Sequence, residues 1–248
     1  METLITQGQK KQVGRFITDG AESFLENLSI RKDVAQKVIE RGGELQAAIK
    51  AAVERAIYEL SGVPIFEWTL FYRDFFGLDV DLSGVRIPGH RNGFNRMIVV
   101  ANELFTASNG KPYMFIIEAM KKHFPVCIYA DDLDKVIVKN DRQPDKMSYA
   151  VCFRDRVEAD EELKNLSADD LAKRNIQGIT CLERLLYELK YFAETGKNLD
   201  IDNWTLCSGS RVSDGDVPSV SRRGVGVFVC CDHSSGAVDH LRSRSAAV

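Results

Sequence analysis

Two groups of acidic residues have the clearest potential for chemistry in this sequence. The first comprises Asp131, Asp132 and Asp134, and the second is the stretch EADEE at 158–162. If the fold brought the two groups together, their carboxylates could bind Mg²⁺ for phosphoryl chemistry. Acidic residues after a strand or at a helix start are more often solvated caps. A metal-dependent enzyme of nucleic-acid metabolism is therefore kept only as an alternative function.

Other reactive residue types lack the partners that catalysis requires. His90, Arg91 and Arg96 in IPGHRNGFNR could bind a phosphate, although basic residues around glycines commonly form a solvated turn. Cys207 is expected to be a small buried thiol, because no histidine is placed near it by a known pattern. The sequence has no GxSxG, no HExxH and no glycine-rich phosphate loop. We expect no catalytic residue, no metal site and no cofactor, and hence a protein that is not an enzyme.

Composition limits the class of protein. The 248 residues include 33 Lys and Arg against 36 Asp and Glu, a net charge of −3, which makes nucleic acid an improbable partner. No apolar run reaches the roughly 18 residues of a membrane span, and METLITQGQKKQVGRF has no apolar core of a signal peptide. The six cysteines show no CxxC spacing. These features predict a cytoplasmic protein without a zinc site.

Residues 1–62 are predicted to be a helical region. Apolar residues recur every three or four positions from Glu44 to Leu60, which is typical of one stripe along a helix. Gly42 and Gly43 are expected to separate this helix from a shorter one around 34–41, and the run SGVP at 61–64 to end it. A helix with a single apolar stripe must pack against another surface. Residues 1–62 are therefore predicted to serve as a scaffold or as an arm for self-association.

Residues 63–248 are predicted to form an α+β ligand-binding domain. The run IFEWTLFYRDFFGLDV is rich in the aromatic residues that are common in strands, and strands are predicted at 97–101, 126–130 and 149–154. A helix is expected from Pro112 to a stop at Pro125. Helices are also predicted after Ser167, a candidate N-cap, and after Thr180. The second of these carries an apolar stripe and is expected to end at Gly196, so it is the best-defined element.

The last 44 residues differ in composition from the rest of the chain. Lys, Glu, Gln, Met and Trp account for 45 of residues 1–204 and for none of residues 205–248. None of these five amino acids has a codon that ends in a pyrimidine. A Ser-, Gly- and Val-rich β segment would also be poor in Lys, Glu and Gln, which leaves a purely structural protein as a further alternative. Eight valines without a Lys or Glu are not a solvating composition, so disorder is not favoured.

The chain resembles a family through three motifs and its end. EADEELKNLSADDL, GITCLERLLYELKYFAETGKNLDI, NWTLCSGSRVSDGDVPSV and the closing LRSRSAAV are similar to uncharacterised microbial proteins whose C-termini resemble the variable proteins of diversity-generating retroelements. In such systems an error-prone reverse transcriptase mutates adenines in a template copy, often at AAY codons, which excludes the five missing amino acids. The resemblance implies a C-type-lectin-like fold that displays a variable ligand-binding surface for an unknown protein or other macromolecule.

The resemblance also separates structural from variable positions within residues 205–248. It implies that Asp214, Pro218, Val220, the glycines and the LRSRS ending hold the backbone shape, since glycine and proline set local dihedral angles. The remaining positions are predicted to face a ligand, with the two strand valines at 227 and 229 the least certain because a strand alternates its faces. The predicted ligand-contacting residues are Val212, Asp216, Ser219, Ser221, Arg222, Arg223, Val227, Val229, Cys230, Cys231, His233, Ser234, Ser235, Val238 and His240.

Overall fold

A computed structural model describes residues 7–61, 65–224 and 226–248. The chain divides into two compact units, Met1–Val63 and Pro64–Val248. Most of the helix stop predicted at 61–64 lies outside the described residues, as does Val225, which alternates with Val227 and Val229 in the sequence and is predicted to share their strand.

The N-terminal unit is helical, as its apolar periodicity predicts. It contains α1 (Gln7–Glu26), α2 (Lys32–Glu40) and α3 (Gly42–Ser61). The prediction that Gly42 and Gly43 separate two helices is wrong. Both glycines belong to the first turn of α3, and only Arg41 lies between α2 and α3. None of the described side chains of α1 is buried. The apolar side chains of α1 are therefore accessible to solvent.

The second unit mixes helices and strands, which confirms the α+β class. Its elements are α4 (Phe66–Phe76), β1 (Arg96–Val100), α5 (Asn102–Ala107), α6 (Pro112–Lys121), β2 (Val126–Ile128), α7 (Leu133–Val136), β3 (Ile137–Asn140), β4 (Tyr149–Phe153), a 3₁₀ turn (Glu161–Leu163), α8 (Ala168–Lys173), α9 (Cys181–Thr195), β5 (Trp204–Leu206), β6 (Ser210–Val212), β7 (Val217–Arg223), β8 (Gly226–Asp232) and β9 (Leu241–Arg242). The aromatic-rich run forms α4 and not the strand that its composition favours.

Tertiary packing explains why α4 is a helix. Trp68, Phe71 and Tyr72 are buried on one side of it, a spacing of three and four residues that only a helix brings to one face. The Tyr72 hydroxyl donates to the Val99 carbonyl oxygen at 2.7 Å and accepts from the Ala101 backbone N–H at 3.1 Å. Helical periodicity and a buried hydrogen-bond pair thus outweigh the strand preference of aromatic residues.

The main sheet has five strands in the order β2-β8-β7-β5-β9. β7 pairs antiparallel with β8 and β5, whereas β2 and β9 join the edges in parallel. Val220, Val227 and Val229 belong to the same core cluster as the buried face of α9. Side chains at the alternate positions of β7 and β8 therefore lie on the face turned away from α9. Two antiparallel pairs, β1-β4 and β3-β6, form smaller sheets.

α9 is defined by local signals at both ends, as the sequence predicts. The Thr180 hydroxyl accepts from the Glu183 backbone N–H at 3.2 Å, and the Glu183 carboxylate accepts from the Thr180 backbone N–H at 2.8 Å. This capping box satisfies N–H groups that lack partners inside the helix. Gly196 ends the helix with a φ of 68°, in the left-handed region. Ser167 caps α8 in the same way, with Asp170 as its partner.

Truncating the α9 stripe should destabilise the second unit strongly. Leu186 is fully buried, so Leu186→Ala should leave a cavity and lower the free energy of unfolding by about 2–5 kcal/mol. His233→Ala, at an exposed position, should change it by less than about 0.5 kcal/mol. Urea unfolding followed by circular dichroism measures both values. Similar losses in the two variants would show that residue 233 belongs to the core.

Candidate binding surface

The acidic residues at 131–134 act as helix caps. The Asp132 carboxylate accepts from the Asp134 backbone N–H at 3.1 Å, where α7 begins. The Asp134 carboxylate accepts from the backbone N–H groups of Tyr113 and Met114, 3.0 and 2.9 Å away in the first turn of α6. Lys111 forms a 3.2 Å salt bridge with Asp132. The two carboxylates therefore satisfy the starts of two helices.

The second acidic group also has structural partners. The Glu158 carboxylate accepts from the backbone N–H groups of residues 201–203, at 2.9 to 3.2 Å. Asp160 pairs with Arg154 and accepts from the Ser245 backbone N–H at 2.8 Å. The two glutamates that follow Asp160 pair with arginines. Among the residues that the structure describes, no three His, Cys, Asp or Glu side chains form a group that could bind a metal ion.

The basic residues around 90–96 have separate environments. The guanidinium groups of Arg91 and Arg154 lie over the Phe94 ring, 4.3 and 4.5 Å from its centre. Arg96 forms salt bridges of 3.2 and 2.6 Å with two carboxylates. His90 is exposed. The Arg96 guanidinium is therefore occupied by internal partners and is poorly placed to bind a phosphate.

Cys207 lies in the core, as expected for a structural thiol. It is fully buried beside Cys181, and burial raises the pKa of its thiol well above the ordinary value. A thiol with a raised pKa is a poor nucleophile because little thiolate is present.

The imidazole of His123 contacts Phe75 and Phe192, with ring centres 5.0 and 5.8 Å away. Cys207 and His123 thus both have packing roles.

A buried charge network ties the binding segment to α9. Arg184, Asp200 and Arg244 are essentially inaccessible to solvent. Arg184 donates to Asp200 Oδ2 at 2.7 Å, and Arg244 donates to Asp200 Oδ1 at 2.6 Å. The Arg184 guanidinium also donates to Glu188 at 2.7 Å, and Thr205 donates to Asp200. The network joins α9, the loop before β5 and the chain end. Its arginine in the LRSRS ending is a structural residue, in agreement with the prediction.

Five of the fifteen predicted ligand-contacting residues are buried, so their prediction as display positions is wrong: Val212, Ser219, Ser221, Val227 and Val229. The two valines of β8 point to the same side of the sheet as Val220 and pack in the core. Val212 packs in that core from β6. The two serines lie on the opposite face, but larger neighbours cover them.

One row of residues crosses the main sheet on the face turned away from α9. The strand register places Leu241, Trp204, Ser221, Phe228 and Cys127 next to one another, one from each strand. We call these five residues the outward row. Trp204 and Phe228 are partly exposed and Cys127 is exposed, whereas Leu241 is buried. The row therefore presents an aromatic surface to solvent.

Arg223 and His240 complete this surface. The Arg223 guanidinium carbon lies 4.1 Å from the centre of the Trp204 ring and 5.8 Å from that of Phe228. The His240 ring meets Trp204 edge-on, with centres 4.3 Å apart. Ser221 is buried and lies in register between Trp204 and Phe228. Within the described chain Arg223 forms no salt bridge, so its charge remains available to a ligand.

Three predicted residues lie toward the other end of the β7-β8 hairpin. Cys230 pairs with Ser219 and is partly exposed, and Cys231 pairs with Pro218. Burial, with the nearby charge of Asp216, raises the pKa of the Cys231 thiol. Asp216 itself is partly exposed. These side chains are accessible but lie apart from Arg223, because they are at the opposite end of the strands.

The remaining predicted residues follow the strands. His233 Nδ1 lies 2.8 Å from Ser235 Oγ in an exposed turn. Ser234 donates to the Asp169 carboxylate at 3.2 Å and accepts from the Asp169 backbone N–H at 3.1 Å, which ties the turn to α8. Val238 is exposed.

Arg222 differs from its neighbour Arg223. It is partly buried, and its backbone N–H donates to the Asp200 carbonyl oxygen at 3.1 Å. Its backbone is thus tied to the loop that carries the buried network, whereas Arg223 faces solvent on the other side of the sheet.

Sequence reasoning missed two residues of the surface, Trp204 and Phe228. Trp204 lies just before the segment of changed composition, so it was not among the predicted ligand-contacting residues. Phe228 was not among them either, because the valines on both sides of it were predicted to face the ligand. The alternation of β8 contained the signal, because Phe228 must face opposite to Val227 and Val229. Assigning the valines to the core would have placed Phe228 on the surface.

Comparisons with known proteins give no relative for this chain: no protein family, curated protein or solved structure matches it. Within the described residues, no helix has the length and apolar character to cross a membrane. The likeness to a C-type-lectin fold is therefore carried by the sequence resemblance alone.

Removing the central carboxylate of the buried network should be costly and pH-dependent. Burial alone would raise the pKa of Asp200, but Arg244 and Arg184 outweigh it and hold that pKa below the ordinary value. The stabilisation is thus present above about pH 4 and is lost as the pH falls through the folded-state pKa. Asp200→Asn should lower the free energy of unfolding by about 3–5 kcal/mol at pH 7.

The control for this variant is Asp202→Asn, at an exposed position two residues away. It should cost less than about 0.5 kcal/mol. Denaturant unfolding from pH 7 to pH 3 measures both, and the deficit of Asp200→Asn should begin to shrink below about pH 4, where the carboxylate of the unfolded wild-type chain takes up a proton. A deficit that is constant over this range would contradict the assigned charge state.

Proposed function

We propose that this chain is a ligand-binding display protein whose C-terminal segment is diversified by retroelement-driven adenine mutagenesis. The binding surface is the solvent-exposed part of the outward row, with Arg223, His240, Cys230 and the turn at 233–238. The ligand is a protein or another macromolecule. The proposed fold of the segment is C-type-lectin-like, on the strength of the sequence resemblance.

One observation carries this proposal: within residues 205–248, the closing ending is buried, whereas ten of the fifteen predicted variable residues are accessible and five are buried. The closing LRSRS residues are buried, and Arg244 donates four hydrogen bonds, to Thr205, to Asp200 and to the backbone carbonyl oxygens of Arg156 and Val157. Most predicted variable residues, by contrast, have accessible side chains. A rigid support with an adaptable surface is the general design of recognition loops.

The alternatives have less support. The enzyme alternative depended on the two acidic groups, whose carboxylates cap helices or pair with arginines. Arg223 stacks on the Trp204 ring at the surface and forms no salt bridge within the described residues, which favours recognition over a purely structural role. We also propose a cytoplasmic location, because the six cysteines are free and two of them lie buried side by side.

The gene itself gives the test of diversification. A near-copy of the codons for 205–248 should lie beside a reverse-transcriptase gene. In sibling isolates, substitutions should fall on the positions that are at least partly accessible: Asp216, Arg222, Arg223, Phe228, Cys230, Cys231, His233, Ser234, Ser235, Val238 and His240. They should never introduce Lys, Glu, Gln, Met or Trp. Substitutions spread evenly over the chain would refute the proposal.

A second role, self-association, is proposed for the N-terminal helices. Phe16 and Phe24 of α1 are 68% and 63% exposed, and Ile39 of α2 is 70% exposed. Large apolar side chains repeated on a surface helix mark an interaction site. A second copy of this chain carries the same stripe, and such a contact would make the display surface multivalent.

This role predicts an assembly that depends on the α1 stripe. The double variant Phe16→Asp with Phe24→Asp should shift the mass measured by light scattering from an oligomer to a monomer, because it places charge in an apolar contact. The control is Glu22→Gln, an exposed polar change on the same helix, which should leave the mass unchanged. A wild-type protein that is monomeric at about 100 μM, where a Kd of about 1 μM would give full association, would refute self-association.

A further inference from the structure

A cavity of about 200 Å³ is lined by residues of α8 and of the β3-β6 pair. Leu171 and Ile176 contribute apolar lining, and Lys139, Asp141 and Arg211 contribute charged lining. Pockets that bury drug-sized molecules are larger, about 300–1,000 Å³. The cavity therefore fits a small molecule with one apolar group and one charged end.

Two like charges face each other across this sheet. The register of β3 and β6 sets Lys139 directly opposite Arg211. Like charges at directly opposed positions destabilise a sheet unless a counter-charge neutralises them. Within the described residues neither side chain forms a salt bridge. An anion bound between them would supply the missing counter-charge.

The guanidinium of Arg211 is held in place by the backbone. Its Nη1 donates to the carbonyl oxygens of Ser208 and Ser210 at 2.8 and 2.7 Å. These bonds use one of its three nitrogens, and they fix the plane of the group. A pre-oriented guanidinium with remaining N–H groups is suited to a carboxylate, which it can bind with two parallel hydrogen bonds.

Asp141 restricts which anion fits. Its carboxylate forms no salt bridge within the described chain, and it leaves the three ionisable side chains of the cavity with a net charge of +1. A phosphate dianion would exceed that charge and be repelled by Asp141. A carboxylate that also carries a hydrogen-bond donor would match all three groups, because the donor can bond to Asp141.

We propose that this cavity binds a small carboxylate with a hydrogen-bond donor on the neighbouring carbon and a short apolar chain, such as an apolar amino acid or hydroxy acid. Lys139 and Arg211 bind the carboxylate, Asp141 accepts from the donor, and the α8 wall contacts the apolar chain. This site is independent of the proposed function, since none of its three charged residues belongs to the outward row.

Three probes that differ by one group test the assignment. Leucine has all three features, 4-methylpentanoate lacks the amine, and leucinamide lacks the carboxylate. Titration calorimetry with the full chain should give a Kd for leucine of about 1 mM or tighter. 4-Methylpentanoate should bind about tenfold more weakly, and leucinamide should not bind. No saturable binding of leucine, or equal binding of leucinamide, would overturn the proposal.

Variants connect binding to the named residues. Lys139→Gln and Arg211→Gln should each weaken leucine binding at least about tenfold. The control is Lys173→Gln, an exposed lysine of α8 that does not line the cavity, and it should bind as the wild type does. Asp141→Asn should reduce the difference between leucine and 4-methylpentanoate.

Stability separates a binding role from a structural one. Lys139→Gln removes the cross-strand repulsion, so the unliganded variant should melt at the same temperature as the wild type or higher while losing leucine binding. A lower melting temperature together with unchanged binding would mean that Lys139 only supports the fold, and the site would be refuted. Neither result bears on the sequencing of sibling isolates, which tests the proposed function separately.

Discussion

The buried carboxylate of Asp200 is the constraint on which the second unit depends. It receives hydrogen bonds from Arg184 in α9, from Arg244 near the chain end and from Thr205 in β5. Removing these charges from water is expensive, and only close pairing with complete hydrogen bonding offsets that cost. Segments far apart in sequence must therefore meet in one arrangement, or the charges remain unpaired. The network specifies the fold more than it adds net stability.

This network lies next to the support of the outward row. Asp200 also accepts from the Arg222 backbone N–H through its carbonyl oxygen, and Thr205 lies between Trp204 and Leu206 in β5. The position of β5 and the end of β7 are thus held from the inner side of the sheet. On the opposite side, Leu206, Val217 and Leu241 form a smaller buried cluster with Ala168 of α8, so only the remaining positions of that face are free to vary.

Local signals in the sequence predicted the elements whose ends are set by neighbouring residues. The capping boxes at Ser167 and Thr180 and the left-handed Gly196 each involve only a few consecutive positions. Non-local contacts could not be predicted in this way. The partners Asp200 and Arg244 are 44 residues apart, and nothing in their spacing reveals the pair. The helix α4 was missed for a related reason, since its aromatic side chains are fixed by a core assembled from distant elements.

The candidate surface shows how much about the exposure of strand residues can be predicted from a sequence. Alternation predicts two faces but not which one is covered, because the cover comes from other segments. In β7, Ser221 lies in register between Trp204 of β5 and Phe228 of β8, and the Arg223 guanidinium, two positions along on the same face, stacks on Trp204. The burial of Ser221 thus depends on the neighbours that the strand register brings beside it, and the sequence of β7 alone does not identify those neighbours.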